Sequence, residues 1–283
     1  MNKWKEIITH STFRYIDHSK KTTFEDKPYT AVTSFAIDDA LALSVSDELS
    51  PPIIRLWIHD QTIVLGIPDA RLPYIESGVQ LLAERGYHVI VRNSGGLAVA
   101  LDHGVLNMSL ILPGVKHISI HDCYEAMFSF IKYTLRDLTN DIKAYEIVGS
   151  YCPGDYDLSI DGVKFAGISQ RRIRNGAAIQ IYMDIEGDSM GRAKLVRDFY
   201  DVSLQGEQTK FEYPTIDPET LGSLSTLLGI KITVEEMKSR IHTSLLELSE
   251  EITSPGFSDY ELDMYYKRLR QMEKRNEKIA QLQ

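Results

Sequence analysis

Hydrophobic positions follow a helical rhythm in some stretches of the chain and an extended one in others. Ala31 to Ser46 (AVTSFAIDDALALSVS) sets Phe35, Ile37, Ala40, Leu41 and Leu43 near helical spacing, and Pro51-Pro52 stops that helix after a polar loop. Ile53 to His59 and Thr62 to Ile67 are β-rich runs, and the Asp60-Gln61 link predicts a hairpin. A helix is expected from Asp69 to about Arg85, closed by Gly86 as a left-handed cap. His88 to Arg92 and Val99 to Leu101 read as strands around the turn Asn93-Ser94-Gly95-Gly96, and Leu106 to Leu112 reads as a buried strand. Ser119 to Asp122 lead into a helix over roughly Tyr124 to Leu138, with Ala126, Met127, Phe130, Ile131 and Leu135 as its apolar face. Ahead of these, Trp4 to Ile8 and Phe13 to Asp17 suggest a short lead strand and connector, ending in the charged loop His18 to Lys27.

The second half carries sharper punctuation. Tyr156 to Ile160 alternates in character as a strand does, Asp161-Gly162 is a tight two-residue hairpin signal, and Val163 to Ser169 is the return strand. Arg171, Arg172 and Arg174 then run into Asn175-Gly176 before the strand Ala177 to Ile185. These arginines read equally as a docking site for an acidic partner or as a charged edge that discourages strand pairing. Asp188 to Tyr200 is helical, Lys210 to Pro218 a connector, and Thr220 to Leu228 a short helix ending at Gly229. Thr233-Val-Glu-Glu236 is a capping-box pattern that starts a helix from Val234 to about Ser249. Ser254-Pro255-Gly256-Phe257 breaks the chain ahead of a charged helical tail. Strands interrupted by helices and hairpins predict an α+β fold, mixed sheets packed with helices, with a main domain over residues 1–250 and a helical tail over 251–283.

Composition narrows the partners. A chain of 283 residues, 43% of them hydrophobic, can fill one large core, and a net charge of −9 argues against nucleic acid as a partner. The two cysteines, Cys123 and Cys152, have no paired spacing, so neither a disulfide framework nor a metal site is expected. The N-terminus is polar and aromatic, and no long uncharged apolar run follows. A soluble cytoplasmic protein with no membrane partner is the expectation.

Cys152 and Lys164 carry the candidate chemistry. Cys152 precedes Pro153-Gly154, a turn signature that lifts a side chain towards a ligand, and Lys164 is the second residue of the return strand. A thiol on the loop entering the hairpin and an ammonium near its tip are placed to converge, and a neighbouring cation favours the nucleophilic thiolate. The plain alternatives are a small core cysteine and a solvated strand lysine. The Asn93 to Gly96 turn offers free N–H groups to an anion or carbonyl, or is simply a tight β-turn. Cys123, in the first turn of a helix, is the rival nucleophile, ranked lower because no candidate cation lies near it in the sequence. His103, in the turn Asp102-His103-Gly104, is a weaker candidate base.

Several of these segments resemble one family. Phe35-Ala-Ile-Asp-Asp-Ala40, Arg92-Asn-Ser-Gly-Gly-Leu-Ala-Val99, Asp102-x-Gly-x-Leu-Asn107 and Gly162-x-Lys-Phe-Ala-Gly167 are similar to the motifs of the lipoate/biotin protein ligase and octanoyltransferase superfamily. Tyr151-Cys152-Pro-Gly-x-Tyr-Asp157 resembles its cysteine-dependent octanoyl-GcvH:protein octanoyltransferase branch most closely, and the resemblance spans about Ala31 to Ile185. It implies a lipoate/biotin ligase-like catalytic domain with no cofactor. Cys152 would carry the acyl group as a thioester, and Lys164 would touch the acyl carbonyl and transfer protons. Arg92, Ser94, Gly95, Gly96 and Gly167 would contact substrate. Octanoyl-GcvH would be the donor and the lipoyl domains of 2-oxoacid dehydrogenase E2 subunits the acceptors. Apolar residues such as Leu97 and Val99 would wall the acyl chain or serve the core.

The sequence departs from the ATP-consuming ligases of that superfamily. Gly66-Ile-Pro-Asp-Ala70 stands where they carry Gly-Arg-x-Gln-Asn, and Asn93, Leu97 and Leu101 replace the second arginine, third glycine and histidine of the signature. Those losses disfavour an adenylate. The alternatives left open are an octanoyl-ACP-dependent branch that also uses a cysteine, ATP-dependent ligation, and a non-catalytic lipoyl-domain binding module.

Overall fold

A computed structural model describes residues 3–283. The chain opens with α1 (Lys3–Ile8), where a strand was expected. Trp4, Ile7 and Ile8 sit at helical spacing, and that stripe packs against a helix further along, so the period of the side chains decides the element. β1 (Thr12–His18) follows, and the charged loop folds back as a small hairpin of β2 (Thr23–Phe24) and β3 (Lys27–Pro28).

α2 (Ala31–Ser46) forms as its spacing predicts, capped by Thr30, and is buried nearly all round, including Asp38 and Asp39. The runs β4 (Ile53–Trp57) and β5 (Thr62–Leu65) do form, but not as a hairpin. β4 is flanked on both sides, by β1 and by β8 (Val105–Leu112), so β5 has no free edge there and starts a second sheet. That sheet sets β5 between β6 (His88–Val91) and β7 (Val99–Leu101). The helix expected from Asp69 is split into a 3-10 turn at Asp69–Arg71 and α3 (Ile75–Glu84). Pro73 pushes Leu72 to an extended ψ of 142° and removes an N–H that the helix would need. Gly86 takes the expected positive φ, +81°.

α4 (Ile120–Thr134), capped by Ser119, leads through β9 (Lys143–Ala144) to β10 (Asp157–Ile160), β11 (Val163–Ile173) and β12 (Gly176–Asp184). β11 runs longer than expected and takes Arg171 and Arg172 into the sheet opposite Ala178 and Ala177. Arg171 bonds Asp39, Arg172 the carbonyls of Val115 and Ile118, and Arg174 Asp47. α5 (Ser189–Leu204), α6 (Leu224–Leu228), α7 (Val234–Leu248), β13 (Glu251–Thr253) and α8 (Asp259–Ala280) complete the chain.

The large mixed sheet has the order β13-β1-β4-β8-β12-β11-β10-β9. One face carries Ile54, Leu56, Met108, Leu110 and Ile179 against α1, α4 and α7. The other carries Ile53, Trp57, Ile111, Ala178 and Tyr182 towards α2 and the small sheet. Burial on both faces explains why the central strands read as continuous apolar runs. On the α2 side polar residues interrupt the central strands: Arg55, Ser109 and Gln180 all bond Asp38, at 2.8, 2.6 and 2.6 Å.

The segment after residue 250 packs on this body. β13 pairs with β1, and α8 lies along α2 with Tyr265, Leu269 and Met272 buried. The Asn276 amide bonds both backbone groups of Val91, and Gln283 does the same for Val89, so the outer edge of β6 is satisfied by side chains.

Candidate functional site

The hairpin β10–β11 turns at Asp161 and Gly162 with φ of +51° and +80°, the two-residue geometry its sequence predicts. Behind it, the loop 147–156 crosses the mouth of a cavity of ≈ 250 Å³ between the two sheets. Cys152 takes a φ of +48°, a left-handed conformation that costs a non-glycine residue about 1–2 kcal/mol. The surrounding structure has to hold it there, and such strain collects at working sites.

Lys164 supplies much of that hold. Its ammonium is fully buried, donates to the carbonyl oxygens of Tyr151 and Cys152 at 2.9 Å each and to Ser150 Oγ at 3.2 Å, and pairs with Asp157 at 2.8 Å. Asp157 in turn accepts from the N–H of Ile147 at 3.1 Å. Burial pushes the Asp157 carboxyl above its ordinary range, and Lys164 opposes that shift. Lys164 therefore reaches the backbone of the cysteine loop and does not line the cavity.

The cation beside the sulfur is Arg92. Its Nη2 lies 3.3 Å from Cys152 Sγ and donates to the Leu97 carbonyl at 2.9 Å, while the Leu97 N–H donates to the same sulfur at 3.1 Å. Two donors aimed at one sulfur suit an anionic nucleophile. Gly96 makes the approach possible: with φ +98°, a Cβ there would overlap the Arg92 guanidinium and lie 2.8 Å from the sulfur. Gly95 lines the cavity in open space, and Gly167 lines it where a Cβ would stand 2.7 Å from the Tyr182 ring. Ser94 is buried with its hydroxyl unpartnered, and it does not line the cavity. Arg92, Gly95, Gly96, Cys152 and Gly167 thus share one cavity, with Lys164 in a layer behind.

Deeper in, Phe35, Trp57, Val64, Val99 and Leu101 give apolar walls, with Asn107, Ser169 and Gln180 as polar points. Of the two wall residues expected, Val99 is a wall, whereas Leu97 works through its backbone. Cys123 does have a cation, Arg172 at 3.6 Å, contrary to its sequence neighbourhood. It is nonetheless fully buried, and desolvation raises its thiol above the ordinary value, the opposite of what a nucleophile needs. His103 is exposed and pairs with exposed Asp60, away from the cavity lining. Among the described residues no cluster of three or more metal-ligating groups occurs, and no helix is long and apolar enough to cross a membrane.

Sequence reasoning missed three groups. The Leu97 N–H is a backbone donor and leaves no residue signature. Asp157 stands in the motif beside Cys152 and was assigned no role. Asp69, buried in the 3-10 turn after β5, was visible only as part of a departure from a ligase pattern. Its carboxyl is pushed up to about 6 by burial, with the N–H of Gly66, the Tyr200 hydroxyl and Arg92 opposing.

Comparison with known proteins gives a consistent picture. Residues 30–246 match the family described as the lipoyl protein ligase A/B catalytic domain. An octanoyl-[GcvH]:protein N-octanoyltransferase of Oceanobacillus iheyensis is 61% identical, over 98% of this chain and 99% of that protein. A protein of the same description from Lysinibacillus sphaericus is 48% identical over 98% and 99%. A lipoyl-[GcvH]:protein N-lipoyltransferase of Listeria monocytogenes is 44% identical over 95% and 97%. Among solved structures, lipoate-protein ligase A bound with ATP shares the fold with a TM-score of 0.66 at 16% identity, covering 92% of this chain and 94% of that one.

Proposed function

We propose, from the premise that this chain belongs to the lipoyl protein ligase A/B catalytic domain family, that it is an acyltransferase moving octanoyl groups from GcvH to the lipoyl-domain lysine of 2-oxoacid dehydrogenase E2 subunits. The observation that carries the reading is Cys152. It is held in a left-handed turn at a largely apolar cavity, with its sulfur between the Leu97 N–H and Arg92. The relatives' names support the donor and the acyl group, and the cavity walls suit an alkyl chain.

The chemistry is a two-step exchange through a thioester. The Cys152 thiolate attacks the amide carbonyl of the octanoylated donor lysine, forming C–S, and the C–N bond breaks as the leaving amine takes a proton from water. The acceptor lysine, as a free amine, then attacks the thioester, re-forming C–N; C–S breaks, the sulfur leaves as thiolate, and the amine's proton returns to water. The Leu97 N–H and Arg92 hold the charge on the sulfur before it attacks and receive it again as the thiolate leaves. Lys164 acts through the carbonyls of Tyr151 and Cys152, fixing the turn that presents the thiol. Amide is exchanged for amide, so the reaction needs no nucleotide and runs both ways, and two unpaired cysteines fit a reducing cytoplasm.

The test is intact mass after incubation with octanoyl-GcvH in the absence of ATP. A hydroxylamine-labile octanoyl adduct on Cys152, absent from Cys152→Ser, is expected, followed by transfer to a lipoyl domain. Octanoyl transfer that requires ATP and leaves no adduct would overturn the reading. Faster loading from octanoyl-ACP would move the donor assignment.

A further inference from the structure

We infer that Asp69 and Tyr200 are positioning residues that set the two donors at the Cys152 sulfur, a deepening of the acyl-transfer reading that rests on it. One oxygen of the buried Asp69 carboxylate accepts the Gly66 N–H at 2.7 Å, and the other accepts the Tyr200 hydroxyl proton at 2.9 Å. The Tyr200 oxygen itself accepts the Ala98 N–H at 3.3 Å. Ala98 directly follows Leu97, whose N–H meets the sulfur and whose carbonyl holds Arg92.

Gly66 grips the other side of the same loop: a Cβ there would collide with the Gly96 carbonyl oxygen. One carboxylate thus fixes Gly66, which packs against the glycine-rich loop, and through Tyr200 reaches the Ala98 N–H of that loop. Neither residue touches the sulfur. Their influence runs through backbone that does.

The arrangement is titratable. Arg92 from the loop after β6, Tyr200 from α5 and Tyr213 from the following connector face Asp69, with exposed Arg71 on its own turn. As a carboxylate Asp69 accepts both bonds with full charge; once protonated it accepts the Gly66 N–H only as a weaker neutral group, and the Tyr200 bond weakens or reverses, with the carboxyl O–H donating to the Tyr200 oxygen. With the carboxyl pushed up to about 6, the donors lock as pH rises through that value and loosen below it.

The experiment follows Cys152 alkylation by iodoacetamide, resolved from Cys123 by peptide mass, over pH 5 to about 8 on the full chain, beside octanoyl-adduct formation. Wild type is expected to show a rise in rate centred near pH 6 in addition to that of thiol ionisation. Asp69→Asn should lower the rate about tenfold at neutral pH and remove that rise. Tyr200→Phe should lower the rate several-fold while keeping the rise. An Asp69→Asn protein with wild-type melting, rate and profile overturns the inference; if that variant fails to fold, an unchanged rate in Tyr200→Phe does so. A wild type with the expected alkylation profile but no octanoyl adduct upholds the positioning and sinks the acyl-transfer reading instead.

Discussion

The Cys152 sulfur is approached by a backbone N–H, a guanidinium and a glycine, so the most informative substitutions include residues with no side chain. Gly95 and Gly96 are adjacent and both line the cavity, yet only Gly96 has a left-handed φ and presses on Arg92 and Cys152. Gly96→Ala is therefore expected to lower octanoyl-adduct formation by roughly two orders of magnitude, about 3 kcal/mol of lost positioning. Gly95→Ala, with nothing within 4 Å of the added Cβ, should stay within a few-fold of wild type. Single-turnover loading from octanoyl-GcvH reads both, and equal losses would mean that the loop's close approach to the sulfur does not matter. Arg92→Lys belongs to the same test, because one terminal nitrogen, Nη2, serves both the Leu97 carbonyl and the sulfur, and the shorter lysine side chain has to shift to reach that point. Loading should fall at least tenfold, with the protein's melting temperature nearly unchanged.

Between elements, the link from the β10–β11 hairpin to the cysteine loop is a buried ion pair with every lysine donor used. Removing one partner leaves an uncompensated buried charge, so Lys164→Met should cost about 3–5 kcal/mol in urea unfolding. The double variant Lys164→Met, Asp157→Leu should recover part of that loss while remaining unable to load octanoyl. Recovery of loading would show that Lys164 does not hold the turn. The hairpin was legible because Asp-Gly fixes its turn chemistry locally, as Thr233 and Ser119 fix the starts of α7 and α4. Cys152, Lys164, Arg92 and the glycines were legible as residue types with motif spacing, but not their mutual contacts. Which cation meets the sulfur is a matter of how a loop after β6 crosses a loop before β10, a contact spanning 60 residues of chain. Pairing partners failed for the same reason. Asp60-Gln61 looks like a hairpin locally, and only the occupancy of both edges of β4 by β1 and β8 excludes it.

For the molecule as a whole, two histidines beneath the α2 face set a pH limit on stability. His18 and His59 are buried among Arg55, Tyr29 and Trp57, and burial with the nearby guanidinium holds both down to about 3. In the unfolded chain each takes a proton near its ordinary value of 6.5, whereas in the folded chain it stays neutral until about 3. The unfolded state therefore binds more protons throughout that window, and these two sites lose stability as pH falls from 6.5 towards 3. Asp69 and Asp184 act in the opposite sense. Burial raises both to about 6, so between the ordinary 3.8 and 6 the folded chain holds the extra protons and part of the histidine loss is masked. The single-site contribution is exposed by subtraction. His59→Gln keeps a partner for Ser34 but cannot titrate, so between pH 6.5 and 5 it should lose about 2 kcal/mol less unfolding free energy than wild type. Urea titrations at the two pH values measure that difference directly, and parallel losses in the two proteins would mean that His59 is charged in the fold.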